Sequence, residues 1–470
     1  MARENETNRI IKKIVEDGNT SSADKMKIKR ELCNLDINYG EDKVVVSNAY
    51  LCIAKLYEEE GNILYAIKNT SYSIDVLTGK KNTQYLSNII IGSGTEYTNS
   101  ILKKYNLQEN DWVGGPYETV VLEEFSKSNN KTLSGRANYR LSLIYSLGLW
   151  NSEYDKNTNL SDAFEYQKAA IEALSIQPKK TTNIALVFNE KYASYAATTI
   201  TSIILNSDLD NKYNIYAIYD SGEDPLTQVT KKKIASLSKF RDFKIEFIEF
   251  PENIIESRKK IFEQILDEHK KRFPRLVYFR LFLDELFPHL DQIVALDVDI
   301  LVLRDLYDLA NIDMDEYFIA ATTSSRSFTL GRLHRKTECQ SLPVVYYSAG
   351  VMVSNLKLMR TDATYTKLRD AEYKCNYKYP EQDQFNMEAS GRIITLPSKW
   401  NIIPSVNDDI DTTYPSPYSP FIIHYMIKPF DNRYTNMLKN NYKLPDHISL
   451  YYKYNDFVKE VINDNTSIHQ

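Results

Sequence analysis

From the amino terminus to about residue 180, apolar positions recur at spacings of three and four with few β-branched alternations, the signature of amphipathic helices. Residues 49–57, Gly61 and then Ala66 and Ile67 predict two helices that turn at a glycine, with small residues where they cross. A similar pattern occupies residues 137–145, passes Gly148 and resumes at 163–174 before Pro178. Beyond Pro178 the period changes. Short apolar runs at 184–188, 213–219 and 244–248 predict strands, separated by helical patterns at 195–204 and 227–239. Strands alternating with helices imply a parallel sheet with crossover helices, hence an α/β domain from about residue 181. Residues 275–287 predict one more helix, with Leu276, Phe279, Leu283 and Leu286 on one face. The run from Ile293 to Val302 then reads as a buried strand, interrupted by Asp297 and Asp299.

Composition narrows the class. With 470 residues and 43% hydrophobic content, the chain can form two or three cores. Its 58 basic and 63 acidic residues leave a formal charge of -5, which argues against a nucleic-acid partner. Cys33, Cys52, Cys339 and Cys375 show no C-x-x-C spacing, so a zinc knuckle or disulfide framework is not expected. The charged start of the chain and the lack of a long apolar run predict a cytoplasmic protein. From residue 436 onward, Lys439, Lys443, Lys453 and Lys459 stand among Tyr442, Tyr451, Tyr452 and Tyr454. Such a mixture suits peripheral contact with an anionic membrane, but Asp446, Asp456, Glu460 and Asp464 dilute the charge and favour a packed terminal helix over residues 436–470.

Two carboxylates one residue apart on a buried strand repel each other unless a cation or proton intervenes. At the carboxyl end of a strand of an open α/β sheet, where ligands bind, such a pair is a candidate metal site. His424, which follows the apolar residues Phe421, Ile422 and Ile423, would add an imidazole suited to manganese; taken alone, it reads better as a hydrogen-bonded core residue.

Several blocks, in order, resemble glycosyltransferase family 8, the group containing bacterial lipo-oligosaccharide galactosyltransferases and glycogenin. Residues 184–192 resemble its first strand and nucleotide loop, Tyr278-Phe279-Arg280-Leu281 its Y-x-R-L segment and Leu296-Asp297-Val298-Asp299 its D-x-D. Residues 348–356 are similar to its N-A-G block, with Ser348 in place of Asn, and Glu381-Gln382-Asp383 to its D-Q-D block. Residues 396–401, His424, Tyr425 and Lys428-Pro429-Phe430 complete the set, which covers residues 183 to 435. The helical pairs resemble tetratricopeptide repeats, which bury their faces by stacking.

The family resemblance implies a retaining transferase of the GT-A fold, a Rossmann-like α/β domain that uses a uridine diphosphate (UDP) sugar and Mn2+ or Mg2+. Asp297, Asp299 and His424 would hold the metal, Lys428 would meet the diphosphate, and Arg280 would reach the diphosphate or the donor sugar. Val187, Asn189 and Tyr192 would recognise the base, and Val298, Ser348, Ala349 and Glu381 would line the donor. Gln382 would lie beside the anomeric carbon and stabilise oxocarbenium-like charge during front-face transfer. A double displacement would require a carboxylate there, for which Glu381 and Asp383 are the candidates. The implied donors are UDP-glucose and UDP-galactose, and the acceptor is a glycan, glycolipid or glycoprotein. The helical region would bind the acceptor or mediate self-association. Two alternatives compete: a helical-repeat interaction protein with an inactive transferase domain, and a metal-dependent phosphohydrolase, for which further convergent carboxylates or histidines would be needed.

Overall fold

The computed structural model describes residues 22–40, 42–77, 83–92, 96–107, 112–113, 117–147, 159–259, 274–324, 345–369, 379–389, 391–404, 421–426, 432–440 and 444–464. The described residues fall into two compact units. One is drawn from Met1–Gln177 and Pro445–Lys453, the other from Pro178–Asn407, Phe421–Leu444 and Tyr454–Gln470.

Every described regular element of the first unit is a helix. Helix Lys43–Glu59 is capped by Asp42, whose carboxylate accepts from the N–H groups of Val44 and Val45. It turns at Gly61, where φ is +73° and a side chain would be strained, into helix Ile63–Leu77. Where the two helices cross, the buried hydroxyls of Ser47 and Ser73 lie 2.9 Å apart. Helices Lys131–Leu147 and Leu160–Leu174 form the second pair. A β-carbon on Gly135 would lie 2.4 Å from Leu174 Cγ, so any side chain there would require Leu174 to shift. Arg140 and Glu118 form a buried ion pair at 2.7 Å that ties this pair to helix Glu118–Ser126. Gly148, part of the second repeat-like pattern, lies outside the described residues.

The second unit is built on a seven-stranded sheet in the order β3-β2-β1-β4-β7-β6-β8. Its strands are β1 Lys180–Val187, β2 Asn211–Tyr219, β3 Lys244–Glu249, β4 Gln292–Leu296, β6 Ile319–Thr323, β7 Tyr347–Asn355 and β8 Ile393–Leu396. The parallel pairing expected for β1 to β4 is present, but the whole sheet is mixed: β7 runs antiparallel to both β4 and β6. The apolar run containing the acidic pair also departs from expectation. It is not one strand but two, β4 and β5 Ile300–Val302, and β5 leaves the large sheet to pair antiparallel with β9 Ile422–His424. The acidic residues therefore occupy the corner where the chain changes sheets. Residues 275–287 differ as well, forming a 3-10 helix over Arg275–Phe282 and one α-turn over Leu283–Leu286. Tyr278, Phe279, Arg280, Leu281 and Phe282 are all buried there, while Arg275, Val277, Glu285 and Leu286 are partly exposed. Phe279 stacks on Phe250 at 3.6 Å within the core beneath the sheet.

The terminal segment forms helices Asn432–Lys439 and Asp446–Asp464. Tyr454 and Phe457 of the latter are buried in the second unit, with the Tyr454 hydroxyl accepting from Asn206 at 2.9 Å. Among the described residues no helix is long and apolar enough to cross a membrane.

Candidate active site

The D-x-D corner is held from both sides. Helix Ala193–Leu205 is buried nearly all round, yet Thr199 and Ser202 in it and Asn206 just after it present polar groups to β5. The Thr199 hydroxyl lies 2.7 Å from the Val298 carbonyl and 2.8 Å from that of Ile300. Ser202 accepts from the Val302 N–H at 2.9 Å, and Asn206 donates to the Val302 carbonyl at 2.8 Å. The spacing i, i+3, i+7 is a helical face turned into a template for one strand. On the other side, Asp297 N–H donates to Gly350 O at 2.8 Å, and Asp299 O accepts from Tyr425 N–H at 2.8 Å.

Asp297, Asp299 and His424 converge here, each offering one ligand atom, with these atoms all within 4.8 Å of one another. His424 Nε2 is 3.4 Å from an oxygen of each carboxylate. The other ring nitrogen, Nδ1, is 3.0 Å from Asn401 Oδ1. Asn401 spends its amide hydrogens on the hydroxyls of Thr322 and Ser348, both at 3.1 Å, so its oxygen is the atom that faces the ring. Nδ1 is thereby the donor, which leaves Nε2 to face two carboxylate oxygens. Gly350 makes room for this packing: a β-carbon there would lie 2.3 Å from His424 Cε1 and 2.9 Å from Asp297 Oδ2.

Arg280 is buried, donates to the Ala349 carbonyl at 2.8 Å and forms an ion pair with Asp297. Ala349 N–H in turn donates to Gln382 Oε1 at 2.8 Å, linking β7 to helix Pro380–Glu388. Glu381, partly buried beside these groups, has its carboxyl pushed up to about 7, chiefly by burial and against the pull of Arg280. Asp383 is fully buried under Gln382, where it accepts from the Tyr379 N–H at 3.1 Å and from the Tyr346 hydroxyl.

At the end of β1, Val187 is partly buried against the core, and the next residues turn into a 3-10 turn over Glu190–Tyr192. Asn189 is 8% exposed, and its Oδ1 is buried with no hydrogen-bond partner among the described residues. A buried carbonyl oxygen left unpaired is costly unless something supplies a donor. The Tyr192 ring lies 5.9 Å from that of Tyr195 and is partly buried. Of the residues expected to meet the donor, two are engaged within the protein and a third lies outside the described residues. The Val298 carbonyl is taken up by Thr199 and the Ser348 hydroxyl by Asn401, while Lys428 lies outside the described residues.

Residues that the motif reading passed over are Thr199, Ser202, Asn206, Thr322, Tyr346 and Asn401. The polar spacing inside an apolar helix could have flagged the first three; Asn401 closes the block at residues 396–401 but only its position under the ring gives it a task.

The sequence profile of Glycosyl transferase family 8 matches residues 183–432, more than half of the chain. The chain belongs to that family. Among curated family relatives, the lipopolysaccharide 1,2-glucosyltransferase of Escherichia coli strain K12 is 26% identical over 261 residues, 53% of this chain and 72% of that protein. Glucoside xylosyltransferase 1 of Gallus gallus is 24% identical over 280 residues, 55% of this chain. The chain spans 66% of a Haemophilus influenzae relative and 61% of the Gallus gallus protein. Among solved structures, the bifunctional glycosyltransferase WbbM aligns over 82% of this chain and 80% of its own, with 16% identity and a TM-score of 0.43. The galactosyltransferase LgtC, solved with donor and acceptor sugar analogs, aligns over 57% of this chain and all of its own, with 17% identity and a TM-score of 0.39.

Proposed function

We propose that this protein is a retaining hexosyltransferase that moves glucose or galactose from a UDP-sugar to a glycan, glycolipid or glycoprotein acceptor, using Mn2+ or Mg2+. The observation that carries the reading is the convergence of Asp297, Asp299 and His424 at the carboxyl end of β4. Two hard oxygen donors and an imidazole whose Nε2 is turned inward suit a divalent cation of the manganese type. When bound, the ion supplies Lewis-acid stabilisation of a leaving diphosphate.

The chain's own residues supply the rest. Asn189 Oδ1, buried and unpaired, is an acceptor for an N–H on the edge of a nucleobase, and Tyr192 offers a ring on which that base stacks. Arg280 anchors Asp297 and adds positive charge behind the diphosphate side of the site. Gln382 carries a neutral amide, which stabilises developing positive charge at the anomeric carbon better than it attacks. In the front-face route, the bond from the anomeric carbon to the β-phosphate oxygen breaks as the acceptor oxygen bonds to the same face of the carbon. The acceptor's proton passes to the departing phosphate oxygen. The helical unit is assigned acceptor binding or self-association.

The test is incubation of the purified protein with Mn2+ and a panel of UDP-sugars, following binding and UDP release. At least one donor should bind and release UDP, and Asp299→Ala should reduce that release by roughly 100-fold or more, the scale of losing charge stabilisation at a reacting centre. Absence of both binding and turnover for every donor overturns the transferase reading. Undiminished turnover in Asp299→Ala overturns the metal assignment.

A further inference from the structure

We propose that Tyr346 and Asp383 are positioning residues that dictate which way the Gln382 amide faces; the inference rests on the transferase reading above. Tyr346, on the approach to β7, is 2% exposed, and Asp383 is fully buried. The Tyr346 hydroxyl donates to Asp383 Oδ1, while Asp383 Oδ2 accepts from the Tyr379 N–H at 3.1 Å. Gln382 Nε2 donates to the Tyr346 oxygen at 3.0 Å, and Gln382 Oε1 accepts from the Ala349 N–H at 2.8 Å.

The direction of every bond in this chain is fixed from its two ends, a carboxylate that can only accept and the Ala349 N–H that can only donate. A carboxylate can only accept, so it claims the phenolic hydrogen. The Tyr346 oxygen then has only lone pairs to offer along the line to Gln382, and it must meet the amide NH2. The amide oxygen is consequently turned to Ala349 N–H, with its second lone pair left over. A primary amide is nearly symmetric in shape, so packing alone selects poorly between its two orientations. The difference matters chemically. The observed orientation presents an oxygen to developing positive charge, whereas the reverse would present N–H groups and oppose it.

This assigns Asp383 a task other than nucleophile. Its carboxylate is fully buried, with one oxygen accepting from the Tyr346 hydroxyl and the other from the Tyr379 N–H. It also accounts for an acid and a tyrosine, otherwise expensive to bury, meeting in one place.

The chain makes an unusual prediction for a one-atom change. In Asp383→Asn, the amide oxygen must serve Tyr379 N–H, so its NH2 points at Tyr346 and reverses the hydroxyl. Tyr346 then directs its hydrogen at Gln382, which flips and places its NH2 against Ala349 N–H. Removing the hydroxyl by Tyr346→Phe relieves that conflict.

Two measurements test this. In protein labelled with 15N-glutamine, the Gln382 side-chain signal, assigned by its loss in Gln382→Met, should move in both Asp383→Asn and Tyr346→Phe. In kinetics, Asp383→Asn should lower kcat for donor turnover by roughly 100-fold, as expected for a misplaced reacting group, with donor Kd within about twofold of wild type. Tyr346→Phe should lower kcat less, and Tyr346→Phe/Asp383→Asn should return to the level of Tyr346→Phe alone. Unmoved Gln382 signals, additive losses in kcat, or losses that appear in donor Kd overturn the inference. If the signals move as expected while wild type turns over no donor, the positioning chain stands and the transferase reading falls.

Discussion

A β-carbon on Gly350 would fall 2.3 Å from His424 Cε1 and 2.6 Å from Nδ1, closer than real carbon atoms approach. The opposing atoms belong to a buried ring held by Asn401, which has little freedom to retreat. In Gly350→Ala the imidazole must turn away from Asp297 and Asp299. Calorimetric titration with Mn2+ should therefore show binding weakened by about 10- to 100-fold, the usual cost of disturbing what orients a ligand. Unchanged Mn2+ affinity would mean that the ring is not where the ion is held. Neighbouring residues show how far a motif can be read. Asp297 and Asp299 were legible because acids on an apolar strand stand out, whereas His424 and Gln382 were legible only through the ordered family blocks around them. Ser348 was legible as a departure from the family pattern but not for its consequence, since that depends on Asn401, which is remote in sequence and adjacent only in the fold.

At the scale of elements, Thr199 and Ser202 on one helix and Asn206 at its end organise the corner. Thr199 serves two carbonyls of the segment that carries Asp299, and both carbonyls are buried. Thr199→Val keeps the shape and deletes the one hydroxyl hydrogen that Val298 O and Ile300 O share, at a cost of about 1–3 kcal/mol. The expected result is lower thermal stability together with weaker Mn2+ binding, because the same turn orients the carboxylates. A variant that melts early yet binds Mn2+ normally would separate the helix from the site. β1, β2 and β4 could be read from apolar runs because strands buried on both faces have little polar alternation to confuse, and β3, at the sheet edge, from the alternation of its apolar residues with Lys244, Glu246 and Glu249. The break between β4 and β5 could not. It is decided by the pairing of Ile300 with His424, a partner that apolarity does not reveal. Likewise, nothing local marks β7 as the reversed strand, since its residues are buried almost throughout and suit either direction. The periodicity of residues 275–287 placed Leu276, Phe279 and Leu283 in the core, but the backbone follows a tighter 3-10 path up to Phe282, which apolar spacing does not distinguish from an α-helix.

For the whole molecule, the helical unit and the α/β unit have different physical signatures, and these allow their tasks to be separated. The helical unit holds a buried ion pair, Arg140 with Glu118, whose side chains are 4% and 1% exposed. Removing one partner of such a pair leaves a desolvated charge and typically costs about 3–5 kcal/mol, far more than the pair contributes when intact. Glu118→Ala should therefore loosen the helical unit while leaving the Asp297, Asp299 and His424 cluster chemically complete. If acceptor recognition belongs to the helical unit, donor hydrolysis in Glu118→Ala stays near the wild-type rate while transfer to acceptor falls. Glu118→Gln, which keeps the shape and a hydrogen-bond acceptor for Arg140, should recover part of the transfer. Parallel loss of hydrolysis and transfer would assign the helical unit a part in the chemistry itself. Loss of neither, with melting of the helices demonstrated by circular dichroism, would remove it from both steps and leave acceptor choice to the α/β unit.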